Sequence, residues 1–153
     1  MKLTIQTGTG NKILRAKSTP FDCVDKYVKK LAQDMMETMD KAEGLGLAAP
    51  QVGINKRLIV VILNYNTDHE LVIPLVNPEI VYFSEEKIIC EEGCLSIPGV
   101  YEPVERSSII RVKFLDLKGN KQLLELSDIN ARVIQHEVDH LDGILFVDRL
   151  NEA

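Results

Sequence analysis

Residues 135–143 read QHEVDHLDG, and this stretch decides how the rest of the sequence is interpreted. His136 and His140 stand four positions apart, so on an α-helix they lie on one face and can reach a single cation. Glu137 is rotated about a quarter turn from His136, close enough to handle a proton beside that cation. The pattern therefore predicts a metal-binding helix. The alternative is a helix that presents ordinary surface histidine and glutamate side chains.

The predicted metal-binding helix covers residues 129–141. Ser127 or Asp128 can cap its start, because both have side-chain oxygens that accept hydrogen bonds from free backbone N–H groups. Gly143 ends it.

The residues before this helix predict one further helix and a block of strands. Five apolar residues recur at spacings of three and four: Val24, Val28, Leu31, Met35 and Met39. They predict an amphipathic helix that stops at Gly44, and its methionine-rich face could be either core or a binding groove. Residues 1–20 contain several breakers and are predicted to be irregular.

The strand signal is clearest at residues 58–63, a continuous β-branched and apolar run typical of a buried strand. Other strands are predicted at residues 71–76, 79–83, 87–90, 109–115 and 121–126, with a hairpin turn at residues 118–120. The order predicts an α+β fold. Antiparallel β-sheets pack around a C-terminal metal-binding helix, and an amphipathic helix lies near the N-terminus.

Composition indicates an ordinary soluble globular protein. The 153 residues suit one domain, residues 1–153. The net charge of -5 and the lack of a basic stripe argue against direct nucleic-acid binding. Without an apolar run of membrane length or a signal-like start, we expect no membrane insertion and a cytoplasmic location. The odd count of 3 cysteines favours reduced thiols.

A third metal ligand is not supplied by the residues after the helix. Phe146 stands where a metzincin would carry its third histidine. A thermolysin-type glutamate would have to be Glu152, in a terminus expected to fray. The remaining histidine, His69, lies in the polar stretch 64–70, which is expected to be an exposed loop.

Cys94 is the better candidate for the third ligand. Gly93 before it allows close approach of the backbone, and Pro98 is expected to end the strand. A thiolate with two imidazoles leaves a fourth coordination position open, as in catalytic metal sites. The alternative is a buried structural cysteine, which is also the interpretation favoured for Cys90 and Cys23.

Residues 44–53 read GLGLAAPQVG, with glycines that let a backbone pass close to a substrate. Gln51 is the polar side chain in this apolar run. Its amide could donate to an oxyanion, or it could be a buried polar group with its hydrogen bonds satisfied.

Three segments together carry a resemblance to a known family: GLGLAAPQ at residues 44–51, EGCLS at 92–96 and QHEVDH at 135–140. In order and spacing they resemble the three signature motifs of the peptide deformylases, over roughly residues 10–150.

The resemblance implies a role for each matching residue. The metal ligands would be Cys94, His136 and His140, the general acid/base Glu137, and the oxyanion donors Gln51 and the Leu95 backbone N–H. The substrate backbone would align on Leu45, Gly46 and Gly93, and the methionine pocket would be lined by Cys90, Ile129 and Val133.

The resemblance also implies the reaction: hydrolysis of the N-formyl group from the first methionine of nascent polypeptides, with release of formate. The metal would be one divalent ion, natively Fe²⁺, with Zn²⁺, Ni²⁺ or Co²⁺ as substitutes. Two features depart from the family pattern. Residues 8–10 replace a proline-containing entry segment, and no basic ribosome-docking helix follows the metal helix, so only transient ribosome proximity is expected.

Two rival functions remain from the residues alone. A metallopeptidase that cleaves internal peptide bonds would share the helix motif but leaves the other two segments unexplained. A non-catalytic binding module on the same fold would be expected to have lost Glu137 or Gln51.

Overall fold

The computed structural model describes residues 1–151. Its α-helices are α1 (Lys12–Arg15), α2 (Lys26–Lys41) and α3 (Asp128–Leu141). Its strands are β1 (Gly46–Ala48), β2 (Leu58–Leu63), β3 (Leu71–Phe83), β4 (Lys87–Cys94), β5 (Ile97–Ser107), β6 (Ile109–Leu115) and β7 (Lys121–Ser127). Short 3-10 helices occupy Ala49–Val52 and Phe146–Asn151. The predicted α+β fold is confirmed.

The strands form two antiparallel sheets. One has the order β1-β2-β3-β6-β7, and the other is a ribbon of β4 and β5. The ribbon lies across α3. Arg132, in the first half of the helix, donates to the carbonyl of Val104 on β5. The metal-binding helix is thereby enclosed between the large sheet and the ribbon.

Strand β2 is apolar throughout because both faces of the large sheet are covered. Ile59 and Val61 belong to the core that contains Ile134 of α3. Leu58 and Val60 belong to the core that contains the apolar face of α2. Alternate side chains of one strand thus enter two different cores, which removes the apolar–polar alternation of a half-exposed strand.

The methionine-rich face of α2 is core rather than a binding groove. Met35 and Met39 are buried against Leu47 and other residues of the large sheet. Asp25 caps the helix by accepting from the backbone N–H of Val28 at 3.0 Å. The helix ends at Lys41, slightly before the predicted stop at Gly44.

Two predicted segments, 71–76 and 79–83, are one strand with a bulge. The register of β3 against β6 shifts between Val76 and Glu79. Asn77 there has a φ of 51°, and its side chain bonds both the N–H and the carbonyl of Phe21 at 2.9 Å. The bulge accommodates Pro78, which could not donate to a regular ladder.

Strand β5 was not predicted, and the expectation that Pro98 ends a strand is wrong. Pro98 and Pro103 both lie inside β5. Each strand of a two-stranded ribbon has one free edge. A missing N–H on that edge breaks no inter-strand hydrogen bond, so proline is tolerated. The short helix α1 was likewise missed in a segment predicted to be irregular.

Helix α3 begins and ends close to the predicted positions. Ser127 occupies the N-cap position, but its side chain makes no capping hydrogen bond. The backbone N–H of Asp128 donates instead to the carbonyl of Ser108 at 2.8 Å. None of the helices within residues 1–151 is long and apolar enough to cross a membrane.

Candidate active site

Three side chains converge as a group of metal donors: Cys94 at the end of β4, and His136 and His140 one turn apart on α3. Their donor atoms all lie within 4.8 Å of one another. Sγ of Cys94 is 3.3 Å from Nε2 of His140. One thiolate and two imidazoles at this spacing suit a divalent transition metal with a further coordination position for a reactant. The residues therefore fit the metal that the sequence motif implies.

A buried carboxylate orients the first histidine. Nδ1 of His136 lies 2.9 Å from Oε1 of Glu92, which leaves Nε2 to face the metal position. Arg106 donates a hydrogen bond to each carboxylate oxygen of Glu92 at 2.9 Å. It also donates to Asp139 at 2.6 Å. Burial alone would raise the pKa of Glu92, but hydrogen bonds from Arg106 and His136 lower it overall. Glu92 thus stays a carboxylate that holds His136 in place.

The general acid/base candidate, Glu137, lies beside the metal donors without being one of them. It is 4% exposed, and its Oε1 has no hydrogen-bond partner within the described residues. Its Oε2 lies 4.0 Å from Nε2 of His136. Burial raises the pKa of Glu137 to about 7. An unpartnered carboxylate with a pKa near neutrality is suited to accept and return a proton.

Gly46 of β1 leaves room for Glu137. A methyl group on Gly46 would come within 2.6 Å of Oε2 and 2.8 Å of Cγ of that glutamate. The glutamate side chain is buried and would have to move aside.

We therefore expect Gly46→Ala to lower kcat/KM by about 100-fold, because a shift of the acid/base of about 1 Å has effects of this size. Bound metal should be retained. The measurement is the catalytic rate together with the metal content. Gly10→Ala is the matched control, since a methyl group there has no neighbour within 4 Å. Equal activities of the two variants would contradict the packing argument.

Gln51 is held toward the metal donors by both ends of its amide. Its Oε1 accepts from the backbone N–H of Ala48 at 2.9 Å. Its Nε2 donates to Oγ of Ser96 at 3.0 Å and lies 3.6 Å from Sγ of Cys94. Ser96 is fully buried and was missed in the sequence, although it lies in the EGCLS segment. The contact explains how a flexible glutamine side chain is fixed in one orientation.

A cavity of about 810 Å³ opens beside these groups. All of the predicted site residues except the deeply buried His140 line it. They are Leu45, Gly46, Gln51, Cys90, Gly93, Cys94, Leu95, Ile129, Val133, His136 and Glu137. Its size is typical of a small-molecule or peptide-end pocket. The structure therefore assembles segments that lie far apart in the chain around one cavity.

Other candidates weighed in the sequence lie away from the metal position. His69 is exposed in a loop. Phe146, in the place of a metzincin histidine, stacks on the His136 ring at a centroid distance of 6.0 Å. Glu152 lies outside the described residues. Cys23 and Cys90 are both exposed, so their interpretation as buried structural cysteines is wrong; Cys90 lies on the cavity wall instead.

A Cys-His-His donor set, a buried carboxylate beside it and an adjoining cavity define a metal-dependent hydrolase. Comparison with known proteins specifies which kind. The family model for polypeptide deformylases matches residues 4–153. A peptide deformylase from Synechocystis sp. is 46% identical over 142 residues, which cover 93% of this chain and 76% of that protein.

Solved structures agree. A class I type b peptide deformylase from Acinetobacter baumannii has a TM-score of 0.92 at 40% identity, with 97% of this chain and 99% of that chain covered. The peptide deformylase from Thermotoga maritima has a TM-score of 0.91 at 39% identity, with 97% of both chains covered. The chain belongs to the polypeptide deformylase family. It is a metal-dependent hydrolase with the deformylase activity of that family.

Proposed function

We propose that Cys94, His136 and His140 hold one divalent ion, natively Fe²⁺, and that Zn²⁺, Ni²⁺ or Co²⁺ can replace it. The supporting observation is the approach of the thiol and both imidazoles within 4.8 Å. Thiolate and imidazole donors together suit these ions better than Mg²⁺ or Ca²⁺. When bound, the ion supplies Lewis-acid chemistry and an activated water.

Glu137 acts as the proton carrier of the hydrolysis. It takes a proton from the attacking water as the new C–O bond forms at the formyl carbon. It gives that proton to the amine nitrogen as the C–N bond breaks and formate leaves. The free Oε1 of Glu137, buried in the cavity wall, supports this role.

Gln51 and the Leu95 backbone N–H stabilise the oxyanion of the tetrahedral intermediate. Both residues line the cavity beside Cys94. One N–H of the Gln51 amide donates to Ser96. The amide therefore needs no large rearrangement to donate its other N–H to a reacting oxygen. One such donor contributes about 3–4 kcal/mol to lowering the barrier.

The substrates are nascent polypeptides that begin with N-formylmethionine. Their backbone aligns along Leu45, Gly46 and Gly93, which all line the cavity. The methionine side chain enters the part of the cavity lined by three residues: Cys90, Ile129 and Val133. A structure of the Acinetobacter baumannii relative bound to Met-ala-ser supports peptide binding in this fold.

In the cell, residues 1–153 act as one catalytic domain in the cytoplasm. The match of the family model to residues 4–153 supports the single domain. The enzyme meets its substrates near the ribosome only transiently, through the nascent chain itself and without direct nucleic-acid contact. The net charge of -5 supports this mode of encounter.

The proposal is tested by anaerobic purification, metal analysis and deformylation of formyl-Met-Ala-Ser. We expect about one equivalent of iron, and activity that decays over hours in air because Fe²⁺ and the thiolate both oxidise. Matched nickel and zinc preparations should decay far more slowly. Unblocked Met-Ala-Ser is the control and should not be cleaved. Equal decay of all three preparations would contradict the iron–thiolate assignment, and cleavage of the unblocked peptide would contradict the deformylase role.

A further inference from the structure

A short segment near the N-terminus, residues 6–8, is hydrogen-bonded to both chain segments that carry the proposed oxyanion donors. The backbone N–H of Gln6 donates to the carbonyl of Gln51 at 2.6 Å, and the backbone N–H of Gly8 donates to the carbonyl of Ser96 at 3.0 Å. Ser96 directly follows Leu95, the second proposed donor. Both acceptor residues are buried, so their carbonyls need partners from within the protein. We call residues 6–8 the N-terminal clasp.

The two segments that the clasp joins belong to different sheets. Gln51 lies on the 3-10 helix that follows β1 of the large sheet, and Ser96 lies in the turn between β4 and β5 of the ribbon. Strand pairing within residues 1–151 does not connect the two sheets. The side-chain contact from Gln51 Nε2 to Ser96 Oγ is one link between them. The clasp adds two main-chain hydrogen bonds to that link.

Asn11 holds the clasp in a defined shape. Its Nδ2 donates to Oε1 of Gln6 at 3.2 Å and to the carbonyl of Thr7 at 3.3 Å. Its backbone N–H donates to the carbonyl of Gly8 at 3.2 Å. Asn11 also caps helix α1, whose Leu14 is fully buried in a core with residues of the ribbon. The clasp is therefore anchored to the body of the protein.

The backbone conformation of Gly8 is one that glycine favours. Its φ is 104°, in a region that residues with a Cβ rarely adopt. A methyl group on Gly8 would nevertheless have no neighbour within 4 Å, and the same holds for Gly10, whose φ is not positive. Alanine at these two positions therefore differs in backbone strain and not in steric contact.

The clasp does not line the active-site cavity. Gln51 and Leu95 line it, whereas none of residues 6–8 does. Any effect of the clasp on catalysis must therefore pass through the groups that it holds. Such an effect is expected to be large, because a displacement of about 1 Å at a reacting site can cost about 100-fold in rate.

We propose that the clasp positions the oxyanion donors by holding the Gln51 and Leu95 segments at a fixed separation. Gln6 and Gly8 are positioning residues, since they act through Gln51 and Leu95. The inference rests on the proposed function, which assigns those two donors. Oxyanion donors act mainly in the transition state, so a loosened clasp should lower kcat and leave KM nearly unchanged.

Gly8→Ala tests the clasp through backbone strain. With formyl-Met-Ala-Ser, we expect kcat to fall about tenfold while KM stays within about twofold, and metal content should not change. Amide hydrogen exchange on the same samples is the second measurement. The N–H groups at positions 6 and 8 should exchange at least about tenfold faster, while those of α3 keep their protection. Gly10→Ala is the matched control and should match the wild type in both measurements.

Gln6→Pro tests the clasp without relying on strain. Proline has no N–H, so the hydrogen bond to Gln51 is lost whatever conformation the segment adopts. We expect kcat to fall about tenfold, again at nearly constant KM. Gln6→Ala keeps the N–H and is the control, with kcat expected within about threefold of wild type.

A double-mutant cycle separates positioning from a general structural role. Gln51→Ala should itself lower kcat by about 100-fold, as loss of an oxyanion donor does. In that background Gly8→Ala should cost about threefold or less, because one of the groups that the clasp positions is already absent.

Three results would overturn the inference while leaving the proposed function intact. They are wild-type kcat in both Gly8→Ala and Gln6→Pro, a raised KM at unchanged kcat, or an undiminished loss in the Gln51→Ala background. Wild-type kcat in Gln51→Ala alone would instead contradict the oxyanion role assigned to Gln51, and the inference would fail with it.

Discussion

Replacement of Glu137 by glutamine should reduce deformylation by roughly 10³–10⁴-fold while the protein keeps its metal. Glutamine has nearly the same size and shape, but it cannot accept the proton of the attacking water or return it to the leaving amine. General acid–base catalysis contributes about 10²–10⁴-fold for one transfer, and both transfers are lost here. The measurement is single-turnover hydrolysis of formyl-Met-Ala-Ser, with metal content determined on the same sample.

The matched control for this variant is Glu79→Gln. Glu79 is an exposed carboxylate on β3 paired with Lys113 at 3.1 Å, and a surface pair of this kind contributes little to stability. The control should stay within about twofold of wild-type activity. If Glu137→Gln retained a tenth of wild-type turnover, another group would have to carry the proton.

Replacement of Cys94 by serine should remove the metal and with it nearly all activity. A serine hydroxyl is a far weaker donor than a thiolate for a soft divalent ion. Loss of a group that merely orients a ligand already weakens binding by about 10–100-fold, so loss of the ligand itself should exceed about 100-fold. Equilibrium dialysis against a metal buffer gives the affinity, and circular dichroism establishes that the variant folds.

Two other cysteines provide controls for this experiment. Cys90→Ser, on the same strand, should keep the metal because the Cys90 thiol is not among the clustered donors. Cys23→Ser, at an exposed position, should keep both metal and activity. Metal affinity of Cys94→Ser close to that of Cys90→Ser would show that the thiol of Cys94 is not a ligand.

Elements with a local periodic signal were predicted closely. Strands β2 and β6 match their predicted residues, 58–63 and 109–115, because β-branched and apolar residues fit the pleated, buried surface that these strands occupy. Helix α3 was predicted to within one residue at its start. Strand β5 could not be predicted, because Pro98 and Pro103 signal breaks unless it is known that they lie on the free edge of a ribbon.

The support of the metal site was harder to predict than its ligands. Glu91 and Glu92 are adjacent and identical, so residue type alone does not distinguish them. In the structure Glu91 is exposed and Glu92 is buried beneath Arg106 and His136. Alternation along a strand places Glu92 on the same face as Cys94, which is a signal that could have found it. Its partner Arg106 lies on a strand that the sequence did not predict.

The sequence by itself determined the chemistry that the metal-binding helix carries. The spacing of His136 and His140 on one helix face, with Glu137 between them, is set by the helical repeat and needs no tertiary contact. The tertiary structure alone decided how that chemistry is completed and approached. Cys94 reaches the histidines because the β4–β5 ribbon lies across α3, and the cavity beside them is lined by segments distant in the chain. Local periodicity acts over a few residues, whereas the meeting of distant segments depends on how all of the apolar faces pack at once.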